Sequence, residues 1–378
     1  MSKMHSVNIL DYTLLSSQGN TQETLKSIKN LSVKVLCKEV STLNEPVKIP
    51  YYLLRDKIEE NNDEIKEAIK KLIENLSIKL TAQQRAQTAL LIGTSLIDRN
   101  IVESIESSVY EYKKKPYISS KKSIDSFASE ISKELKLNPF TMTISTACTS
   151  SINAVIEARN LINSGVVEYA IVVGVEIFSQ MMSDGFSSMK LLSTDTQRPF
   201  DIDRDGLILG EAIAAVLVGK DSSKWSLKGA YSNCNSLNIT SVSPSGEEYA
   251  EVMDKAMSFA KVTAKDITML KTHATSTLTN DMSEINAIKK VFASDVTFTA
   301  LKPYVGHTLG ACGVLELAMI MSCIDDGFIP QTLGHKESII KEYIPLQKHK
   351  ECSSGIFMLN YFGFGGNNTS VIIQKELQ

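Results

Sequence analysis

Hydrophobic positions along the chain follow two periods. Between Asp63 and Leu76, the apolar residues Ile65, Ala68, Ile69, Leu72, Ile73 and Leu76 recur at helical spacing, and Lys and Glu fill the other face. This predicts a surface helix. TMTIS (141–145) is rich in β-branched residues and reads as a strand. Residues 149–164 return to helical spacing, with Ile152, Val155, Ile156 and Ile162 on one face and Gly165 placed to end the helix. YAIVVGV (169–175) is a continuous apolar run, the pattern of a strand covered on both faces. Strand, helix and strand in this order make a βαβ unit. A second series follows: helix 248–262, strand 267–273, helix 281–292, strand 296–301 and helix 309–324. Strands at 354–362 and 369–375 close the chain, joined through FGFGGNN. The pattern is α/β, with two similar halves, 1–222 and 223–378, in one compact unit. Their equivalence rests on element order, since no sequence repeat is visible. The first 50 residues carry short apolar runs among scattered Ser and Asn and predict no clear element.

Composition narrows the classes of function. The 378 residues are 43% hydrophobic and 22% charged, a globular balance with enough chain for a substantial core. Lys and Arg number 40 against 43 Asp and Glu, for a formal charge of -3. That lacks the basic excess of a nucleic-acid binder. The longest apolar runs, such as AIAAVLV (212–218), fall far short of a membrane span, and the N-terminal stretch has no signal-peptide core. The expectation is a soluble, cytoplasmic protein. Lysines 113, 114, 115, 121 and 122 read as a solvated loop, or as a docking site for an acidic partner.

Candidate chemistry concentrates in few residues. None of the six cysteines forms a CxxC pair, and none of the five histidines has HxxxH or HxxE spacing, so no metal is expected. Cys148 lies between the strand TMTIS and a helix opening TSSINAV. A thiol at a helix N-terminus feels the positive end of the dipole, which favours thiolate. The residue types leave two readings, an activated nucleophile and a buried structural thiol. His273 and His307 stand at the C-terminal ends of predicted strands, where α/β sheets bind ligands, and Lys302 lies five residues before His307. Glycines cluster in VGHTLGACG and FGFGG, either as ordinary turns or where backbone approaches a ligand. A Cys/His pair suits nucleophilic acyl chemistry, in a cysteine hydrolase or an acyltransferase.

Five motifs in order sharpen this. They are STACTS (145–150), RPFDIDRDGLILGE (198–211), HATSTLTND (273–281), LKPYVGHTLGACG (301–313) and FGFGGNN (362–368). On these segments the chain resembles the β-ketoacyl synthases of the thiolase superfamily, of the elongating, Cys-His-His type. The resemblance implies a thiolase-like fold, two mixed-sheet halves in an αβαβα arrangement. It is weak over residues 1–80. Ala274 replaces a usual glycine, and Ala212, Ile213 and Ala214 replace much of a GEGAG pattern; the extra methyls are expected to narrow the pocket or shift the backbone.

The resemblance also implies a mechanism. Cys148 would accept the acyl group, with the amides of Cys148 and Phe364 facing the oxyanion. His273 and His307, as neutral imidazoles, would stabilise the enolate formed when a malonyl thioester loses CO2. Lys302, paired with Glu284, would organise the site. Thr275 and Thr277 would hold the phosphopantetheine arm, and Phe362 and Phe364 would stand at the acyl-pocket gate. No resident cofactor or metal is implied, because phosphopantetheine arrives on acyl carrier protein. The implied partner is a second subunit, in a homodimer or in a heterodimer with a related ketosynthase chain. The alternative is a non-catalytic subunit resembling a chain-length factor.

Overall fold

The computed structural model describes residues 7–40, 47–54, 58, 61–77, 80–97, 125–234 and 242–377. The lysines at 113–115 and 121–122 lie outside the described residues. Among the described residues, ten strands form one continuous sheet path. The first five are β1 (Val7–Ser16), β2 (Thr88–Gly93), β3 (Thr141–Ile144), β4 (Tyr169–Glu176) and β5 (Ala212–Gly219). The second five are β6 (Trp225–Cys234), β7 (Met269–Lys271), β8 (Phe298–Thr299), β9 (Gly355–Phe362) and β10 (Asn367–Lys375). The spatial order is β8-β7-β9-β10-β6-β1-β5-β4-β2-β3. Numbered within its own half, each set of five runs 3-2-4-5-1 from its outer edge, and the halves meet where β1 pairs antiparallel with β6. β2 pairs parallel with β3 and β4, while β5 runs antiparallel to β4 and β1, so the sheet is mixed.

Strand burial explains the layering. In β4, Ala170 and Val172 face one core, and Ile171, Val173 and Val175 face another. An apolar run without alternation therefore marks a strand with helices on both sides. One outer core is closed by α1 (Asn62–Ser77) and α2 (Ser126–Glu134). Ile65, Ile69, Ile73 and Leu76 of α1 are each at most 1% exposed, which confirms the stripe read from the sequence. The central layer holds α3 (Ser150–Asn163) and α6 (Cys312–Asp325), packed on each other between the halves. The far face is covered by α4 (Glu247–Ala260) and α5 (Leu278–Val291). Helix, half-sheet, helices, half-sheet and helix make five layers.

Element boundaries differ from the sequence pattern mainly at the C-terminal ends of strands. Residues 267–273 yield only a three-residue strand, and residues 296–301 only a two-residue one. The chain leaves the sheet there because Thr272, His273 and the residues after them turn into the site. The 309–324 segment opens with a short 3-10 turn, Leu309–Ala311, before the α-helix. The unreadable N-terminus holds β1, whose ten residues alternate imperfectly and bulge between Ile9 and Asp11. Among the described residues, no helix is long and apolar enough to cross a membrane.

Candidate active site

The nucleophile turn is built by small polar residues. Ala147 adopts φ +53, and Cys148 follows it directly ahead of α3. The Ser150 hydroxyl donates to the Ala147 carbonyl at 2.6 Å and accepts from the Thr146 amide at 2.9 Å. The Thr149 hydroxyl donates to the Thr146 carbonyl at 2.7 Å. These bonds explain why a strand-to-helix turn rich in Ser and Thr presents the cysteine at the helix mouth.

Residues distant in sequence converge on Cys148. Its Sγ lies 3.1 Å from Nε2 of His307. The His307 and His273 rings meet edge to face with centroids 5.4 Å apart. Nδ1 of His273 lies 3.4 Å from Nζ of Lys302, which opens a short helical turn, Lys302–Val305. The ligand atoms of Cys148, His273 and His307 all fall within 4.8 Å of one another, close enough to hold a metal ion, a convergence that sequence spacing did not reveal. The three residues line a narrow cavity of about 50 Å³, together with Thr275, Thr277, Phe362 and Phe364. A larger open groove of about 790 Å³ lies along α1, lined by Lys and Glu side chains with no Cys or His.

The electrostatics follow from burial. Cys148 is 6% exposed, and burial pushes its thiol up to about 12 despite opposing help from Lys302 and from the backbone N–H groups of Phe364 and Cys148. The expected resting thiolate is therefore replaced by a neutral thiol, because the cost of desolvating the anion outweighs the helix terminus. The same two N–H groups face the sulfur, where the resemblance placed the oxyanion donors. Burial holds both His273 and His307 well below the usual imidazole range, and the Lys302 ammonium adds to the effect. Both rings are neutral at pH 7.

One expected pairing is corrected. Lys302 does not pair with Glu284; it donates to Oε1 of Glu316 at 2.8 Å. Glu284 instead accepts the backbone N–H groups of His273 and Ala274, each at 2.7 Å, and so holds the loop carrying the imidazole. Burial raises the Glu284 carboxyl to about 8. The second oxygen of Glu316 takes Lys271 at 2.5 Å. Sequence reading missed Glu316 and Lys271, yet a signal was there. Each is the sole charge in an apolar element, LGACGVLELAMIMSCI and ITMLKTH, and a lone charge in a buried element needs a partner.

The remaining residues fall in place around the cavity. The hydroxyls of Thr275 and Thr277 lie 2.9 Å apart at its wall. Phe364 stacks on Phe186 with centroids 5.6 Å apart, and Phe362 stacks on Tyr249 at 3.5 Å. Tyr249, which sequence reading did not single out, is buried and donates to Asn280 at 3.2 Å. The departures at Ala212, Ile213 and Ala214 lie in β5, paired to β1 and β4, and are not among the described residues lining the cavity. Ala274 does not line it either; its effect is on the backbone, at φ +49.

Comparison with known proteins supports one family. A model of the β-ketoacyl synthase N-terminal domain matches residues 64–224, and one of the β-ketoacyl synthase C-terminal domain matches residues 226–336. The chain is 28% identical over 321 residues to the 3-oxoacyl-(acyl-carrier-protein) synthase 2 of Rhizobium meliloti, covering 78% of this chain and 75% of that protein. It is 29% identical over 254 residues to the tetracenomycin polyketide synthase ketoacyl synthase alpha subunit of Streptomyces glaucescens, covering 61% and 59%. In fold it is similar to a ketosynthase solved with its chain length factor from Xenorhabdus doucetiae. There the TM-score is 0.86 at 22% identity, over 100% of this chain and 99% of the other.

Proposed function

The chain belongs to the β-ketoacyl synthase family, and from that premise we propose that it condenses an acyl group held on Cys148 with a malonyl thioester on acyl carrier protein, releasing CO2. The product would enter fatty acid, polyketide or aryl polyene biosynthesis. The observation that carries this reading is the Sγ to Nε2 contact of 3.1 Å, with a second neutral imidazole edge-on to the first.

In the first half-reaction, Sγ of Cys148 attacks the acyl thioester of the carrier. The S–C bond to Cys148 forms and the carrier's C–S bond breaks. Nε2–H of His307 donates to Sγ as the thiol proton leaves for the departing pantetheine thiolate. The amides of Cys148 and Phe364 take the charge of the tetrahedral oxygen. In the second, the malonyl C–C bond breaks, CO2 leaves, and its electron pair becomes an enolate. His273 donates from Nε2 to the enolate oxygen, because Lys302 donates to its Nδ1 and so directs the ring proton to the other nitrogen. His307, in its Nε2–H tautomer, is the second donor. The enolate carbon then attacks the acyl-Cys148 carbonyl and displaces the thiolate, which takes a proton from solvent. Thr275 and Thr277 hold the pantetheine arm that the substrate brings, so the proposal includes no resident cofactor. A paired second subunit, identical or related, would add its strand to the outer edge of β3, the last strand of the sheet among the described residues.

Intact-mass spectrometry beside CO2 release from labelled malonyl carrier protein tests this. His307→Ala should still be acylated on Cys148 but should lose on the order of 100–1000-fold in CO2 release. Cys148→Ala should never be acylated. Normal CO2 release by His307→Ala would sink the two-imidazole mechanism. If the native protein performs neither half-reaction with any loaded carrier, the non-catalytic subunit becomes the better reading.

A further inference from the structure

Behind the two imidazoles lies a buried charge cluster that does not balance. Glu316, on α6, is one carboxylate between two ammonium groups. Its Oε1 accepts from Lys302 at 2.8 Å and its Oε2 from Lys271 at 2.5 Å. Both lysines are fully buried, and Glu316 is 1% exposed. Lys271 also donates to the Asn360 carbonyl at 2.7 Å and lies 3.5 Å from the centre of the Tyr361 ring. Carboxylate, carbonyl and ring face all favour a cation, and burial opposes them and holds the Lys271 ammonium below the usual lysine range. Two positive charges against one negative leave a surplus of one beside His273.

A 1:1 pair would be cheaper to bury, so the second lysine calls for a reason. We propose that Lys271 is a positioning residue for the decarboxylation step: by occupying one oxygen of Glu316 it leaves Lys302 aimed at Nδ1 of His273, which fixes His273 as an Nε2–H donor toward the substrate. This role rests on the decarboxylative reading above. The field has the matching sign, since Lys302 and Lys271 both disfavour a charged imidazole at His273 and at His307.

Other titratable groups around the rings do not cancel the surplus. Glu284, on α5, accepts the amides of His273 and Ala274 and is neutral below about pH 8 because burial raises its carboxyl, while Asp281, also on α5, accepts the amides of Phe200 and Ser276 and faces the Arg204 guanidinium at 4.0 Å. Glu176, at the end of β4, accepts from the Ser95 and Gly310 amides. Burial keeps the thiols of Cys148 and Cys312 and the phenols of Tyr249 and Tyr361 in their neutral forms.

The test is ring-¹⁵N histidine NMR on the full chain, from pH 5 to 9, alongside CO2 release. In the native protein His273 should hold one neutral tautomer, with the proton on Nε2. In Lys271→Met, Glu316 draws Lys302 to itself. His273 should then show mixed tautomers and titrate on the order of one pH unit higher, as expected when one nearby charge is removed. CO2 release should fall on the order of tenfold, with its acid limb moved up alongside, as for loss of a supporting group behind a reacting one. Lys271→Arg keeps the charge and should restore the tautomer. If Lys271→Met folds and leaves the tautomer and titration of His273 unchanged, the proposal is overturned and Lys271 is a structural ion-pair partner. Should Lys271→Met fail to fold, Lys271→Arg and Lys271→Gln decide, since only the second should disturb the tautomer. If the native protein releases no CO2 but the tautomer responds to charge as described, the condensing reading fails while the control of His273 by Lys271 stands.

Discussion

Ala274 shows how one methyl group tests the backbone of the site. It is fully buried at φ +49, where L-residues are disfavoured, and is held there by the hydrogen bond its backbone N–H donates to Glu284. The left-handed conformation costs about 1–2 kcal/mol, and alanine recovers roughly 0.4–1 kcal/mol by restricting the unfolded chain. Ala274→Gly should therefore stabilise the protein by about 0.5 kcal/mol, read as a higher urea midpoint with an unchanged slope. A lower midpoint would show that the methyl packs better than its backbone costs. Cysteine reactivity is a second residue-scale test. Cys37 and Cys234 are exposed, whereas Cys148 is buried with its thiol held neutral. The helix-terminus argument taken alone makes Cys148 the first site of labelling; burial reverses that order. Limiting iodoacetamide and peptide mapping at neutral pH should find Cys37 and Cys234 alkylated ahead of Cys148. Early labelling of Cys148 would mean that the thiolate is present at rest.

At the scale of elements, the contact between the two central helices sets the geometry of the site. An added Cβ on Gly313 of α6 would lie 2.4 Å from the Ile152 backbone nitrogen in α3. α3 opens just beyond Cys148, and α6 carries Glu316, so moving the helices apart would shift the nucleophile against its charge cluster. Gly313→Ala should cost about 1–3 kcal/mol, as for overpacking of a tight core, and should slow acylation as well. Gly185, in the helix Gln180–Ser188, is the control, since a Cβ there meets nothing within 4 Å. Gly185→Ala should stabilise by roughly 0.5–1 kcal/mol through helix propensity. Equal thermal shifts for the two variants would refute the close-contact argument. Long helices and doubly covered strands were legible in the sequence because their period or continuity spans many residues. β7 and β8 were overestimated because their pattern continues into turns that only the site requires.

For the whole molecule, buried carboxyls set the pH response. Burial raises Glu176 to about 7 and Glu284 to about 8, from an unfolded value near 4.5. Between those values the native state holds more protons than the unfolded one, so stability falls as pH rises. The buried histidines act the other way, but only below their unfolded value of 6.5. From pH 6.5 to about 8.5 the carboxyls therefore dominate, and the thermal midpoint should drop across that window. Glu176→Gln, which keeps an acceptor for the Ser95 and Gly310 amides, should flatten part of the drop. A midpoint that stays level in the native protein would contradict the raised values.

What the sequence determined by itself is the inventory: an α/β chain, a strand-helix mouth at Cys148, two histidines and a lysine in ordered motifs. Local rules carry these, because period, turn chemistry and motif order are written in neighbouring residues. Only the tertiary structure decided the partners. Glu284 and Glu316 are both acids on helices near the site, and the sequence does not say which way each helix turns its face. The packing of α6 on α3 gives Lys302 to Glu316, and the return of α5 gives Glu284 to the loop amides. The protonation of Cys148 was likewise beyond local reading. A helix terminus acts within its own turn, whereas the burial that overrides it is the sum of layers contributed by both halves of the chain.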